Sequence, residues 1–199
     1  MKPWLAFALA LLCAVVVAQT AAPPTARLRG TIERIEGNTL VMKERSGEVV
    51  TLVLADDLAV TEVRPTELSA IREGSFVGIA SLPGVEGRLT ALEVLVFPEA
   101  ARGTGEGHYP WDLVPGSMMT NATVAELAAA PQGRTLTLRY KDGEQTVVVP
   151  ANVPVVTLVP ADRSLLVRGA KLMVTAQERQ GRPTALRALV GRDGFTPPM

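Results

Sequence analysis

The sequence predicts an all-β protein with minor short helices, built as two small five-stranded barrels in tandem behind an N-terminal signal peptide. Three observations predict it. The chain of 199 residues repeats itself: GRLTALEVLV (Gly87 to Val96) matches GRPTALRALV (Gly181 to Val190) at seven of ten positions. TLVMKERSGE (Thr39 to Glu48) likewise lies over TLTLRYKDGE (Thr135 to Glu144), and Gly30-Thr31-Ile32-Glu33 over Ala122-Thr123-Val124-Ala125, all at a spacing of 92 to 96 residues. Within each copy, apolar and polar residues alternate with the period of two that turns one side of a strand to a core. Finally, hydrophobic residues make up 47% of the chain and aromatics only 4%, so the cores must be packed from Val, Leu, Ile and Ala.

Taken in order, the chain opens with Lys2 and then an apolar run from Trp4 to Val17, closed by the small residues Val16-Val17-Ala18. That is the plan of a secretory leader cleaved after Ala18. The run falls short of the roughly 20 residues of a membrane-spanning helix, and an uncleaved anchor is the alternative. Cys13, the single cysteine, follows Leu12 rather than a small residue and reads as part of the leader, not as a lipidation site. Without residues 1–18 the chain has no thiol, hence no disulfide and no thiolate metal site.

The first module, residues 26–99, reads as strands Leu28 to Ile35, Thr39 to Glu44 and Val49 to Leu54, separated by turns at Gly37-Asn38 and Ser46-Gly47. The β-branched runs and the glycine turns support this. Asp56-Asp57 then reads as the start of a loop. A short helix is expected from Thr66 to Ile71, capped by Thr66 and closed by Gly74, followed by strands Ser75 to Ser81 and Leu89 to Phe97. Residues 100–120 form a Gly/Pro-rich structured connector. The second module, residues 121–194, repeats the plan as Thr123 to Leu127, Thr135 to Lys141, Gln145 to Val149, Lys171 to Glu178 and Thr184 to Val190, with Pro160 to Val167 in place of the helix. Five strands with a helix between the third and fourth is the layout of an OB-like barrel; an SH3-like barrel or a small sandwich also fits.

On these residues a resemblance can be stated. The pattern Gly-x-Ile-x-x-Ile, a hairpin, a Val-rich strand, EGSFVGIA and LTALEV resembles a family of bacterial exported domains of unknown function built from small OB-like β-barrel modules. The block GHYPWDL…PGSMMTNAT is similar to the connector of such two-module proteins. The resemblance implies a periplasmic or secreted protein of the cell envelope and carries no catalytic residues.

Charge separates the copies. From Arg27 to Glu99 there are twelve acids and eight bases; from Asn121 onward there are six acids and ten bases, while the whole chain balances 20 against 20. Opposed nets of this kind allow the two modules to pack on each other within the chain or to associate head to tail between chains; the alternative is that the charges sit on solvated faces. Near-neutrality argues against nucleic acid as a partner, and no later apolar run reaches membrane-spanning length. Arg168, Arg179, Arg182 and Arg187 gather near the ends of the last two strands, where an anionic ligand is conceivable.

The chemistry-bearing residues cluster in the connector. His108 is the only histidine; with Met118 and Met119 it could ligate Cu(I), for which imidazole and thioether donors are suited. Tyr109, Trp111 and Asp112 are either anchors that pack the connector against the barrels or residues that face a ligand. A Ser/His/Asp set can be drawn from Ser117, His108 and Asp112, but all three lie in one Gly/Pro-rich stretch without rigid support. Asn121-Ala122-Thr123 is a glycosylation sequon. The expectation is therefore a non-catalytic binding or interaction protein with no cofactor, its partner an envelope protein or a small ligand seated between the barrels or on a barrel face. The alternative is a periplasmic copper-handling protein using His108, Met118 and Met119.

Overall fold

The computed structural model describes residues 24–130 and 133–198; the expected signal peptide lies outside them. Twelve strands follow one another: β1 (Thr25–Glu36), β2 (Thr39–Glu44), β3 (Val49–Pro65), β4 (Phe76–Pro83), β5 (Leu89–Val96), β6 (Gly107–Pro110), β7 (Met118–Ala130), β8 (Gly133–Tyr140), β9 (Gly143–Pro150), β10 (Val155–Pro160), β11 (Lys171–Arg179) and β12 (Arg182–Gly191). The helical content of the described residues is four three-residue 3-10 turns, at Leu68–Ala70, Val85–Gly87, Glu99–Ala101 and Arg163–Leu165. Among the described residues no helix is long and apolar enough to cross a membrane.

The all-β class and the five-stranded closure follow the sequence; the tandem arrangement does not. Strand pairing runs β1-β2-β3-β12-β11 and back to β1, and separately β7-β8-β9-β5-β4 and back to β7. Neighbours within each ring are antiparallel except β3–β12 and β5–β9, which are parallel. Each ring therefore takes three consecutive strands from one copy of the repeat and the last two from the other. Neither 26–99 nor 121–194 encloses a ring.

The exchange begins in β3. Asp56-Asp57 does not open a loop; the chain continues extended for 17 residues, and only residues 55–58 bulge out of the β3–β12 ladder, between the pairs Leu54↔Ala185 and Ala59↔Arg187. The far half of β3 stays paired with β12 as far as Val63, while its other edge, beyond the end of β2, pairs antiparallel with β10, Val63 facing Leu158. The 3-10 turns that follow these two segments start at 68 and 163, a separation of 95 residues. Val63 and Leu158 are separated by the same number, so the crossing strand meets its own repeat counterpart across a local two-fold. On its other side β10 runs parallel to β5.

Three cores result. Ile32, Leu40, Met42, Leu52, Val174 and Val190 fill the first ring, and Ile79, Val94, Val124, Leu136, Leu138 and Val147 the second. Each such fully buried aliphatic side chain contributes about 1.5–3 kcal/mol. A smaller cluster of Val63, Val156 and Met173, flanked by Leu95, Leu158 and Leu189, lies between the rings. Beside it, buried Glu62 accepts paired hydrogen bonds from both Arg64 (2.7 and 3.2 Å) and Arg192 (3.1 and 3.0 Å). Those two guanidinium groups hold its carboxyl at about 2.

Candidate functional site: the cleft between the rings

The connector is more regular than its glycines and prolines suggest. Residues 107–110 form β6, an edge strand on β7, with His108 opposite Thr120 and Tyr109 opposite Met119. The following loop closes on itself: the Trp111 N–H donates to the Ser117 carbonyl at 2.8 Å. The buried Ser117 hydroxyl lies 2.7 Å from the Val114 carbonyl and 3.0 Å from that of Trp111, and accepts from the Val114 N–H at 3.3 Å. This closure holds Trp111 against the other ring, where the Arg27 guanidinium stands 4.0 Å above its ring. Asp112 accepts from Arg29 Nη2 at 2.7 Å and from Arg27 Nη1 at 3.5 Å. Burial raises the Asp112 carboxyl, but the hydrogen bond and charge of Arg29, with help from Arg27, hold it below its ordinary range. A connector anchored on β7 of the second ring is thus pinned to β1 of the first.

Beneath Tyr109 and Trp111 lies a cavity of about 490 Å³. Its first wall is the outer face of β1, β11 and β12, where register places Arg27, Thr175 and Arg187 in one row and Met173 and Leu189 in the next. Its second wall is the outer face of β7, β4 and β5, with Asn121, Gly78 and Leu95 in one row and Met119, Ala80 and Glu93 in the next. Gly78 is required there: a Cβ at that position would stand 2.6 Å from Asn121 Oδ1 and 3.0 Å from the Phe97 ring. The space a side chain would take is filled by Asn121 and the Phe97 ring, which close against the strand there.

What distinguishes this cavity is its polar inventory. Among the described residues, four buried side-chain atoms have no hydrogen-bond partner: Arg29 Nε, Glu93 Oε2, Trp111 Nε1 and Asn121 Oδ1. Glu93, Trp111 and Asn121 line the cavity, and Arg29 is held beside it by Asp112. Arg29, Glu93 and Asn121 are 8%, 5% and 7% exposed. Buried polar atoms are almost always partnered, and leaving one bare costs about 1–3 kcal/mol. Burial pushes the Glu93 carboxyl up to about 7, against the opposing charges of Arg29 and Arg45. A comparably large depression of about 530 Å³, lined by Asp56, Asp57, Arg179 and Arg182 among others, gathers none of these bare atoms.

The residues singled out from sequence separate into two groups. Tyr109 and Trp111 line the cavity and Asp112 ties its roof to Arg29. The copper set does not converge: Met118 and Met119 are consecutive in β7 and project to opposite faces, Met119 into the cavity with Tyr109. His108 lies on the other face, its Nδ1 2.8 Å from Thr120 Oγ1 and its ring stacked on Tyr140; burial lowers its pKa. Ser117, His108 and Asp112 each have separate partners and form no triad. The sequon asparagine is buried, its amide donating to the Thr104 carbonyl at 3.0 Å and to the Tyr109 hydroxyl at 3.1 Å.

Arg27, Arg29, Glu93 and Met173 were not selected from sequence. One signal for Glu93 was present: of the three mismatches between GRLTALEVLV and GRPTALRALV, one sets Glu93 against Arg187. The two occupy equivalent places, Glu93 beside Ala80 and Arg187 beside Thr175, and both line the cavity. Of the four arginines considered for an anion, Arg187 alone reaches it. Comparison with family models, with curated proteins and with solved structures found no match.

Proposed function

We propose that the protein is a non-catalytic binding protein whose small ligand occupies the cleft between the two rings. One observation carries this: the residues that hold bare buried polar atoms on β5, β7 and the connector all line a single, mainly apolar cavity, with Arg29 of β1 beside it. Ligand sites have this composition, an apolar lining with a few convergent polar groups. Rigid strands supply both walls, and the roof is pinned by ion pairs, so the site is formed before a ligand arrives. An exported, cell-envelope location is proposed with it, supported by the apolar leader and by the motifs of the exported-domain family. The strand order within each ring, first-second-third-fifth-fourth and back to the first, supports a pair of OB-like modules formed by exchange rather than in sequence. For copper, only His108 and Met118 share a face, two soft donors where three were expected.

The test is a mixed set of small aromatic and aliphatic fragments screened against the full chain by thermal shift and Trp111 fluorescence. Binders should raise the melting temperature and perturb tryptophan emission in the wild type, and lose the thermal shift in Leu189→Trp, which narrows the cleft from an incompletely buried position. If no fragment binds, or if Leu189→Trp binds as well as the wild type while folding normally by circular dichroism, the cleft is not the site.

A further inference from the structure

Resting on the cleft as a binding site, we infer that its ligand is a small amphipathic monocarboxylate that carries a hydrogen-bond donor on its apolar body. The anionic end is argued from ion-pair accounting. Three guanidinium groups stand on the first wall, Arg27, Arg29 and Arg187. Asp112 engages Arg27 and Arg29 at 3.5 and 2.7 Å, whereas Arg187 faces the cavity with no carboxylate within ion-pair distance among the described residues. Glu93, across the cleft, does not reach it: its Oε2 has no partner at all. A guanidinium presents parallel N–H groups that match a carboxylate with two hydrogen bonds, which is the geometry Arg187 is free to offer. The Trp111 Nε1–H is a second bare donor from the roof.

The rest of the ligand is set by the remaining walls. Leu95, Leu189, Met119 and the Trp111 ring accept an apolar body. Asn121 spends its amide on Thr104 and Tyr109 and leaves Oδ1 bare. That acceptor calls for an N–H or O–H on the body. A carboxylate at Arg187 and a donor at Asn121 lie at opposite walls, so one molecule satisfies both only if it spans the cleft with its apolar part between them.

Indole-3-propionate meets these demands and is the probe; indole-3-propionamide, tryptamine and decanoate are its neutral, cationic and donor-less counterparts. Isothermal titration into the full chain should show indole-3-propionate binding at least tenfold tighter than the amide, with tryptamine weakest and decanoate between. In Arg187→Gln, an exposed position with no ion pair to lose among the described residues, the carboxylate should fall to the affinity of the amide and the amide should be unchanged. Equal binding of acid, amide and amine, or an acid-to-amide ratio that survives Arg187→Gln, overturns the carboxylate while leaving the cleft as a site. If none of the four binds although fragments of the screening set occupy the cleft, the ligand class is wrong and the site stands. If neither the four probes nor the fragments bind, both fall together.

Discussion

At the scale of single residues, Glu93 is the group whose environment most opposes its ordinary chemistry. Its carboxyl titrates near 4.5 in the unfolded chain and at about 7 in the folded one. Between those values the native protein holds a proton that the unfolded chain has released, so stability falls as pH rises through that window. Glu93→Gln removes the penalty: its melting temperature should exceed that of the wild type at pH 8 and converge with it at pH 4, as measured by calorimetry. The difference between the two proteins is the correct readout, because Glu62 works in the other direction. Held at about 2 by Arg64 and Arg192, Glu62 contributes stability above pH 4.5 that is lost as pH falls toward 2. Which residues form the site was partly legible in the sequence. Tyr109, Trp111 and Asp112 were marked by rarity and context; Glu93 was not selected, although its mismatch with Arg187 was there to be read. Arg27 and Arg29 carry no such mark: they sit at polar positions of an ordinary alternating strand, and only the approach of the second ring makes them part of a cleft. The choice of Met118 with Met119 failed for a local reason, since consecutive residues of a strand point to opposite sides.

At the scale of elements, the connector is held by few interactions and these are separable. Ser117 closes the loop 111–117 through one hydroxyl serving two carbonyls and one amide, and Asp112 fastens it to β1. Ser117→Ala takes the hydroxyl away from the Trp111 carbonyl and the Val114 N–H, while the Val114 carbonyl keeps the Ser117 N–H, at about 0.5–1.5 kcal/mol. It should also increase protease cleavage between residues 111 and 117 and weaken the emission change expected of fragments that occupy the cleft. Unchanged cleavage with unchanged emission would mean that β6–β7 pairing alone positions the roof. The strands themselves were read well from alternation, because each buries one face in an aliphatic core. The short elements β6 and β10 were not, since four and six residues at an edge or a crossing carry too little periodicity to stand out. β3 was read too short because its acidic pair looks like a loop; both aspartates are exposed, and a bulge absorbs them without ending the strand.

At the scale of the whole molecule, the exchange of strands makes the two halves of the chain inseparable. Each ring needs both, so cutting the exposed stretch 103–106 should not release a module. After limited proteolysis there, the two fragments should co-elute on gel filtration at the size of the intact protein and part only in denaturant. Separate elution under native conditions would show that each half closes its own ring. This arrangement could not be read from the sequence, for a physical reason: the two copies of the last two strands carry nearly the same pattern, so either could complete either ring. What decides is the straight run of β3 and its pairing with β10, a long-range contact between segments that look alike. The local two-fold at Val63 and Leu158 also has a chemical consequence. A dimer of identical subunits joined in this way would present the same residue on both walls of the cleft, an acid facing an acid or a base facing a base. Covalent linkage of the copies lifts that constraint, so that Glu93 and Arg187 can face each other from equivalent places. The duplication turns a self-complementary seam into a polar one with two distinguishable ends, so a ligand there would have only one way round.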